Sequence, residues 1–89
     1  MTFRWNRWNV EHVGTHGVMP EEAEAVVEGA RRPYPLLREE EKWLVWGRTR
    51  WGRWLQVVYV LDGEDRAFVI HARSLTGRER ARARRRERR

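Results

Sequence analysis

There is no cysteine among these 89 residues, which excludes disulfides and thiolate metal centres. Apolar runs are short, and none approaches the roughly 18 residues that a membrane-crossing helix needs. The start, Met1-Thr-Phe-Arg-Trp5, has no long apolar stretch of the signal-peptide kind, so a cytoplasmic protein without a membrane partner is expected. Histidine is sparse. His12 and His16 stand at i,i+4, a spacing that can bind metal, but no carboxylate or third ligand is obviously placed to complete a site, and neither metal nor cofactor is expected. Lysine is almost missing: of 19 basic residues, 18 are arginine and the other is Lys42.

What is present in excess is positive charge, a formal net +6, and it is unevenly placed. Residues 1–37 carry four basic and five acidic side chains, 38–75 seven and six, and 76–89 eight and two, giving −1, +1 and +6. Arginine keeps its charge, and its planar fork of donors matches phosphate, so this bias points to nucleic acid. A GC-rich genome or a hot habitat accounts as well for the ratio of arginine to lysine. Neither accounts for the placement. The remainder is that of a folded chain, 40% hydrophobic with six tryptophans, enough for one domain with a small core.

Local patterns order the chain as α+β. Phe3–Trp5 reads as a short edge strand. Asn6 can cap a helix to about His16, with Gly17 at the left-handed end position. In that helix Val10, Val13 and Gly14 mark an inner face, while Asn9, His12 and His16 share another. Pro20-Glu21-Glu22 opens a second helix, since proline fits a first turn and carboxylates complement the dipole there. Ala23, Val26, Val27 and Ala30 give it one apolar stripe, and Gly29 with Arg31–Pro35 ends it. The period then falls to two, with strands at Lys42–Gly47, Leu55–Leu61 and Ala67–Arg73. Turns at Arg48–Arg53, with Gly52 left-handed, and at Asp62–Asp65 join them. Such tight connections predict two N-terminal helices packed on an antiparallel meander of three to four strands. In the last strand Phe68, Ile70 and Ala72 are expected to face the helices, leaving His71 and Arg73 side by side on the open face. Thr76-Gly-Arg-Glu79 is a capping box that starts a third, arginine-rich helix. No apolar residue larger than alanine follows Arg80. Residues 81–89 are therefore expected to fray as a basic extension of a single domain spanning 1–80.

Several segments, in their order and spacing, resemble the BrnT toxins. They are Trp5…Asn9-Val-Glu-His12, His16-Gly-Val18…Pro20-Glu-Glu22, Glu41-Lys-Trp43…Gly47-Arg48, Gly52-Arg-Trp-Leu-Gln-Val-Val-Tyr59 and Ile70-His-Ala-Arg73…Glu79-Arg80. The likeness covers roughly residues 3–80. It implies a RelE-like fold and the activity of a small ribonuclease from a bacterial type II toxin–antitoxin pair, cleaving RNA without a metal. It also implies a ribbon-helix-helix antitoxin as partner, with operator DNA met only through that antitoxin. The family's basic positions fall here on Lys42, Arg48, Arg53 and Arg73, with Glu41 the nearby acid. Three positions depart from the family pattern: Thr15 stands where lysine or arginine is usual, His71 where serine is common, and Ala83 where tyrosine often occurs.

The chemistry gives these residues roles. In metal-independent cleavage the 2′-hydroxyl attacks the adjacent phosphate, and fixed guanidinium groups stabilise the charge that develops on the phosphorane. A base takes the 2′-proton and an acid supplies one to the leaving 5′-oxygen. Arg73, His71, Arg48, Glu41 and Lys42 are the catalytic candidates, His71 because it titrates near neutrality. Arg53, Arg78 and Arg82 are candidate RNA contacts. Plainer roles stand beside these. Arg73 can pair with Glu41 or Asp65, Arg48 and Arg53 can be solvated charges flanking a hairpin, and His16 can bond the last carbonyls of its helix. Trp43, Trp46, Trp51 and Trp54 can fill the core, stack on bases or meet a partner. The function expected is a ribonuclease toxin. The alternatives are a degenerate toxin-fold protein that binds RNA or an antitoxin without cleaving, and an unrelated basic RNA- or ribosome-associated protein held by its tail.

Overall fold

In the computed structural model, which describes residues 1–87, the chain runs through three helices and five strands. Their order is β1 (Phe3–Arg4), α1 (Arg7–Gly14), α2 (Pro20–Glu28), β2 (Leu36–Leu37), β3 (Trp43–Arg48), β4 (Trp54–Leu61), β5 (Ala67–Ser74) and α3 (Gly77–Glu87). The class is α+β. The sheet order is β1-β5-β4-β3-β2, and β2 to β5 pair antiparallel. β1 pairs in parallel with β5, Phe3 beside Ala67 and Arg4 beside Phe68, so the sheet is mixed and five-stranded rather than an antiparallel meander of three to four. β2 is the strand not anticipated; two residues are too few to display a period of two.

α1 begins as Asn6 suggests. The Asn6 side chain accepts from the Asn9 amide at 3.2 Å, and Asn9 Oδ1 accepts from the Asn6 amide at 2.7 Å. Asn9 also donates to the Arg4 carbonyl at 3.2 Å and is fully buried, tying the helix to β1. The helix is shorter than expected, and its inner face is Asn9 and Val13, with Val10 exposed. Gly17 nonetheless occupies the left-handed end position at φ 70. Gly17 donates to Gly14 and Val18 to Val13, which closes the last turn and brings Val18 into the core behind Val13.

α2 starts with Pro20 in its first turn, and Glu22 reaches back to accept from the Met19 amide at 3.0 Å. Its stripe of Ala23, Val26 and Val27 meets Val45, Leu55, Val57, Tyr59, Ala67, Val69 and Ala72 of the sheet. Gly47 lies where α2 crosses β3. A Cβ there would stand 3.1 Å from Val26 Cγ1, so the close approach of helix and strand favours glycine.

Two departures shape the other side of the sheet. Val58 pairs with His71 but Tyr59 pairs with Val69, so Ile70 is an extra, bulged residue. The bulge resets the alternation: Ala67, Val69 and Ala72 face the core, not Phe68, Ile70 and Ala72. His71 and Arg73 still lie away from it. α3 does not stop near Arg80 but continues to Glu87, because Ala83, 3% exposed, packs with Trp54 and Leu75 in a second small core flanked by Trp46. A small side chain serves here by letting the helix come close to two indoles. The last part of the expected fray, 88–89, lies outside the described residues.

Candidate nucleic-acid interface

Arg73 projects from β5 into a polar network. Its Nη1 donates to Glu79 Oε1 at 2.7 Å and to the Ser74 carbonyl at 3.1 Å, and its Nη2 donates to Glu79 Oε2 at 2.9 Å and to Gln56 Oε1 at 3.3 Å. Gln56 Oε1 also accepts from Trp46 Nε1 at 3.0 Å. The ion-pair partner is thus Glu79, and neither Glu41 nor Asp65. Glu79 raises the pKa of Arg73, and Arg73 in turn is the leading cause that holds Glu79 down at about 2.

His71 lies two residues back, its ring centroid 5.6 Å from that of His16 in an edge-to-face arrangement. Burial first, then the charges of His16, Arg73 and His12, lowers its pKa below the ordinary imidazole value, so it is neutral at pH 7. His12 stacks on Trp8 at 4.9 Å. Among the described residues no group of three or more His, Asp or Glu side chains is placed to hold a metal ion.

The other candidates are scattered. Glu41 and Lys42 sit at the far end of β3 from Arg48; six residues of strand at about 3.3 Å each separate Lys42 from it by roughly 20 Å. Lys42 pairs with Glu40 at 3.2 Å. Arg53 is held by the fold: its Nη1 donates to the Gly17 carbonyl at 2.7 Å and to Glu22 at 3.1 Å, and its Nη2 to Ser74 Oγ at 3.1 Å. Arg78 is exposed on α3. Arg48 lies with Cζ 5.2 Å from the Trp54 ring, and Arg82 with Cζ 5.4 Å from the Trp46 ring.

Arg48 opens onto a feature absent from the sequence expectations. An open cavity of about 220 Å³ lies between the end of α2, β3 and α3, lined by Gly29, Arg31, Arg32, Tyr34, Trp46, Gly47, Arg48, Trp54, Ala83 and Arg86. Arg86 Nη1 donates to the Tyr34 hydroxyl at 2.6 Å, and its Cζ is 5.7 Å from the Trp46 ring. Tyr34 and Trp46 stand 6.3 Å apart between centroids. Among the described residues none of Arg31, Arg32, Arg48 and Arg86 forms an ion pair with a carboxylate. Four guanidinium groups around one hollow repel each other, and an anion placed among them relieves that repulsion. Of its lining, the sequence pointed to Arg48 and to Trp46 and Trp54; Arg31-Arg32-Pro33-Tyr34, a basic–aromatic run, reads equally as a helix terminator and gave no sign of converging with them.

No protein-family model, curated protein or solved structure matches this chain. No helix among the described residues is long and apolar enough to cross a membrane.

Proposed function

We propose that this protein acts on RNA, and that the arginine–aromatic cavity beside Arg48 is where it holds the strand. One observation carries this reading: four arginines, none in an ion pair with a carboxylate among the described residues, line a hollow together with the partly exposed Tyr34 and Trp46. Guanidinium groups take phosphates and exposed aromatic faces take bases, the combination that single-stranded nucleic acid requires. The resemblance to BrnT toxins supports the narrower reading, a cytoplasmic RelE-like endoribonuclease. It would cleave by 2′-hydroxyl attack without a metal and be silenced by a ribbon-helix-helix antitoxin. Arg48, which lines the cavity, is then the charge-stabilising group of the catalytic candidates, while Arg73 and His71 lie on β5, two strands away.

A second reading, binding without cleavage, is favoured by the Arg73–Glu79 pair. A guanidinium neutralised by a carboxylate at 2.7 Å offers a phosphorane little. Titration of labelled single-stranded RNA, read by fluorescence anisotropy, tests the shared claim. The triple change Arg31→Ala, Arg32→Ala and Arg48→Ala should weaken binding by about tenfold or more and lower the salt slope by roughly 2, at about 0.7 per phosphate contact. Equal affinity in the variant would overturn it. Gel analysis for fragments ending in a 2′,3′-cyclic phosphate, abolished by a 2′-deoxy linkage, separates cleavage from binding alone.

A further inference from the structure

Further along β3 from the arginine cavity, at the open end of the β3–β4 hairpin, lies a groove of opposite character. It has a volume of about 320 Å³ and is lined by Leu37, Trp43, Val60 and Leu61, with Glu40 and Glu41 at its rim. Leu37 and Leu61 are 59% and 43% exposed. Glu40 and Glu41 hold left-handed backbone, φ 60 and 57, so the turn sets both carboxylates beside the groove against the usual preference of the chain. In a protein of net charge +6 the run Glu39-Glu40-Glu41 is a local anionic patch, and only Glu40 of the three forms an ion pair among the described residues. Apolar walls with an acidic rim repel RNA. They suit a bulky apolar side chain next to a cation.

The same hairpin carries such a pair at its tip. Trp51 is 67% exposed, and the Arg50 guanidinium lies 5.7 Å from its ring centroid. Tryptophan and arginine are the residues most enriched where a few side chains dominate an interface. Tip and groove cannot meet within one molecule. Continuous pairing from Trp43–Tyr59 to Arg48–Trp54 keeps the hairpin straight, which holds the two on the order of 20 Å apart.

We infer that the protein associates with a second copy of itself, Trp51 and Arg50 of one copy entering the Leu37–Trp43–Leu61 groove of the other beside Glu40 and Glu41. A two-fold arrangement makes the contact twice and closes as a dimer. The area is small, so the association is weak and reversible.

Sedimentation velocity from micromolar to millimolar protein tests this. Wild type should move from monomer to dimer as concentration rises. Trp51→Ser, at an exposed position, should keep its circular dichroism spectrum and raise the apparent dissociation constant by about thirtyfold or more, the scale of a dominant interface tryptophan. The double variant Glu40→Lys, Glu41→Lys should do the same, and Leu37→Lys serves if that turn proves sensitive. Mixing Trp51→Ser with the glutamate variant should restore a mixed dimer, because one intact tip then meets one intact groove. A wild type that stays monomeric throughout overturns the inference, as does dimerisation indifferent to Trp51. So does a Trp51→Ser protein that loses RNA affinity while sedimenting like wild type, which assigns the indole to RNA.

Discussion

Arg73 in β5 and Glu79 in the first turn of α3 are joined by two parallel hydrogen bonds of 2.7 and 2.9 Å. The same carboxylate accepts from the Thr76 amide at 2.9 Å while the Glu79 amide donates to Thr76 Oγ1 at 3.1 Å, so one side chain fastens both the start of α3 and the guanidinium. Arg73, the leading catalytic candidate by sequence, is therefore a strut in the free protein.

That strut has an acid limit. The Glu79 pKa lies at about 2, below its ordinary 4.5, mainly through the bond from Arg73. A carboxylate lowered by folding adds stability above its unfolded value, and the addition disappears as pH falls from about 4.5 through about 2. Thermal unfolding followed over that range should show a falling melting temperature. Glu79→Gln should reduce that slope, the remainder coming from Asp62, whose pKa is also held down, chiefly by the backbone bond from Arg66, and should cost about 1–3 kcal/mol at neutral pH, the scale for leaving a partly buried charge unpaired. An unchanged acid slope in the variant counts against the pairing.

His71 sets a second pH dependence of the same sign. Burial and the adjacent His16, Arg73 and His12 lower its pKa in the folded state, so the unfolded chain takes up a proton more readily. Its contribution is complete above the ordinary value of 6.5 and declines as pH drops below it. Stability to urea should fall between pH 7.5 and 5.5, and His71→Gln should flatten the profile. An NMR titration with His71 protonating above 6.5 would contradict this.

The parts of the fold written in local chemistry were legible: Asn6 as a cap, Gly17 and Gly52 as left-handed residues, the Thr76–Glu79 box and the three long strands. What escaped depends on neighbours distant in sequence. Leu36–Leu37 is a strand only because β3 lies beside it, and the Ile70 bulge has no marker within β5 itself. Ala83 looked too small to anchor a helix, yet smallness is what lets α3 approach Trp54. The candidate site suffered most. Arg31 and Arg32 in the loop after α2, Arg48 at the end of β3 and Arg86 in α3 converge, while Glu41 and Lys42, adjacent in the expected set, lie at the opposite end of β3.

Gly47 tests the packing that carries the cavity. Its added Cβ would meet Val26 Cγ1 at 3.1 Å, and Val26 is 1% exposed with little room to retreat. Gly47→Ala should destabilise by about 1–3 kcal/mol in urea unfolding, as overpacking does. Pairing it with Val26→Ala should recover part of that loss, giving a coupling energy beyond the sum of the single changes. Strict additivity would show that the two sites do not touch.

Arg48 and Arg53 flank one hairpin, and sequence alone treats them alike, but their surroundings predict opposite phenotypes. Arg53 spans three elements through Gly17, Glu22 and Ser74, at 2.7, 3.1 and 3.1 Å. Its side chain is about one-third exposed and that of Glu22 less, so the pair is sheltered enough to matter. Arg53→Ala should lower stability by about 1–3 kcal/mol, since it strands the Glu22 carboxylate, and should leave RNA affinity within about twofold. Arg48 is exposed, lies over the Trp54 ring and makes no side-chain hydrogen bond or ion pair among the described residues, so Arg48→Ala should change stability by about 0.5 kcal/mol or less. At the mouth of the cavity it should instead weaken RNA binding about tenfold and lower the salt slope by about 0.7. Parallel urea melts and RNA titrations on the two variants decide the matter. If both lose stability and neither loses affinity, the cavity is not where RNA binds.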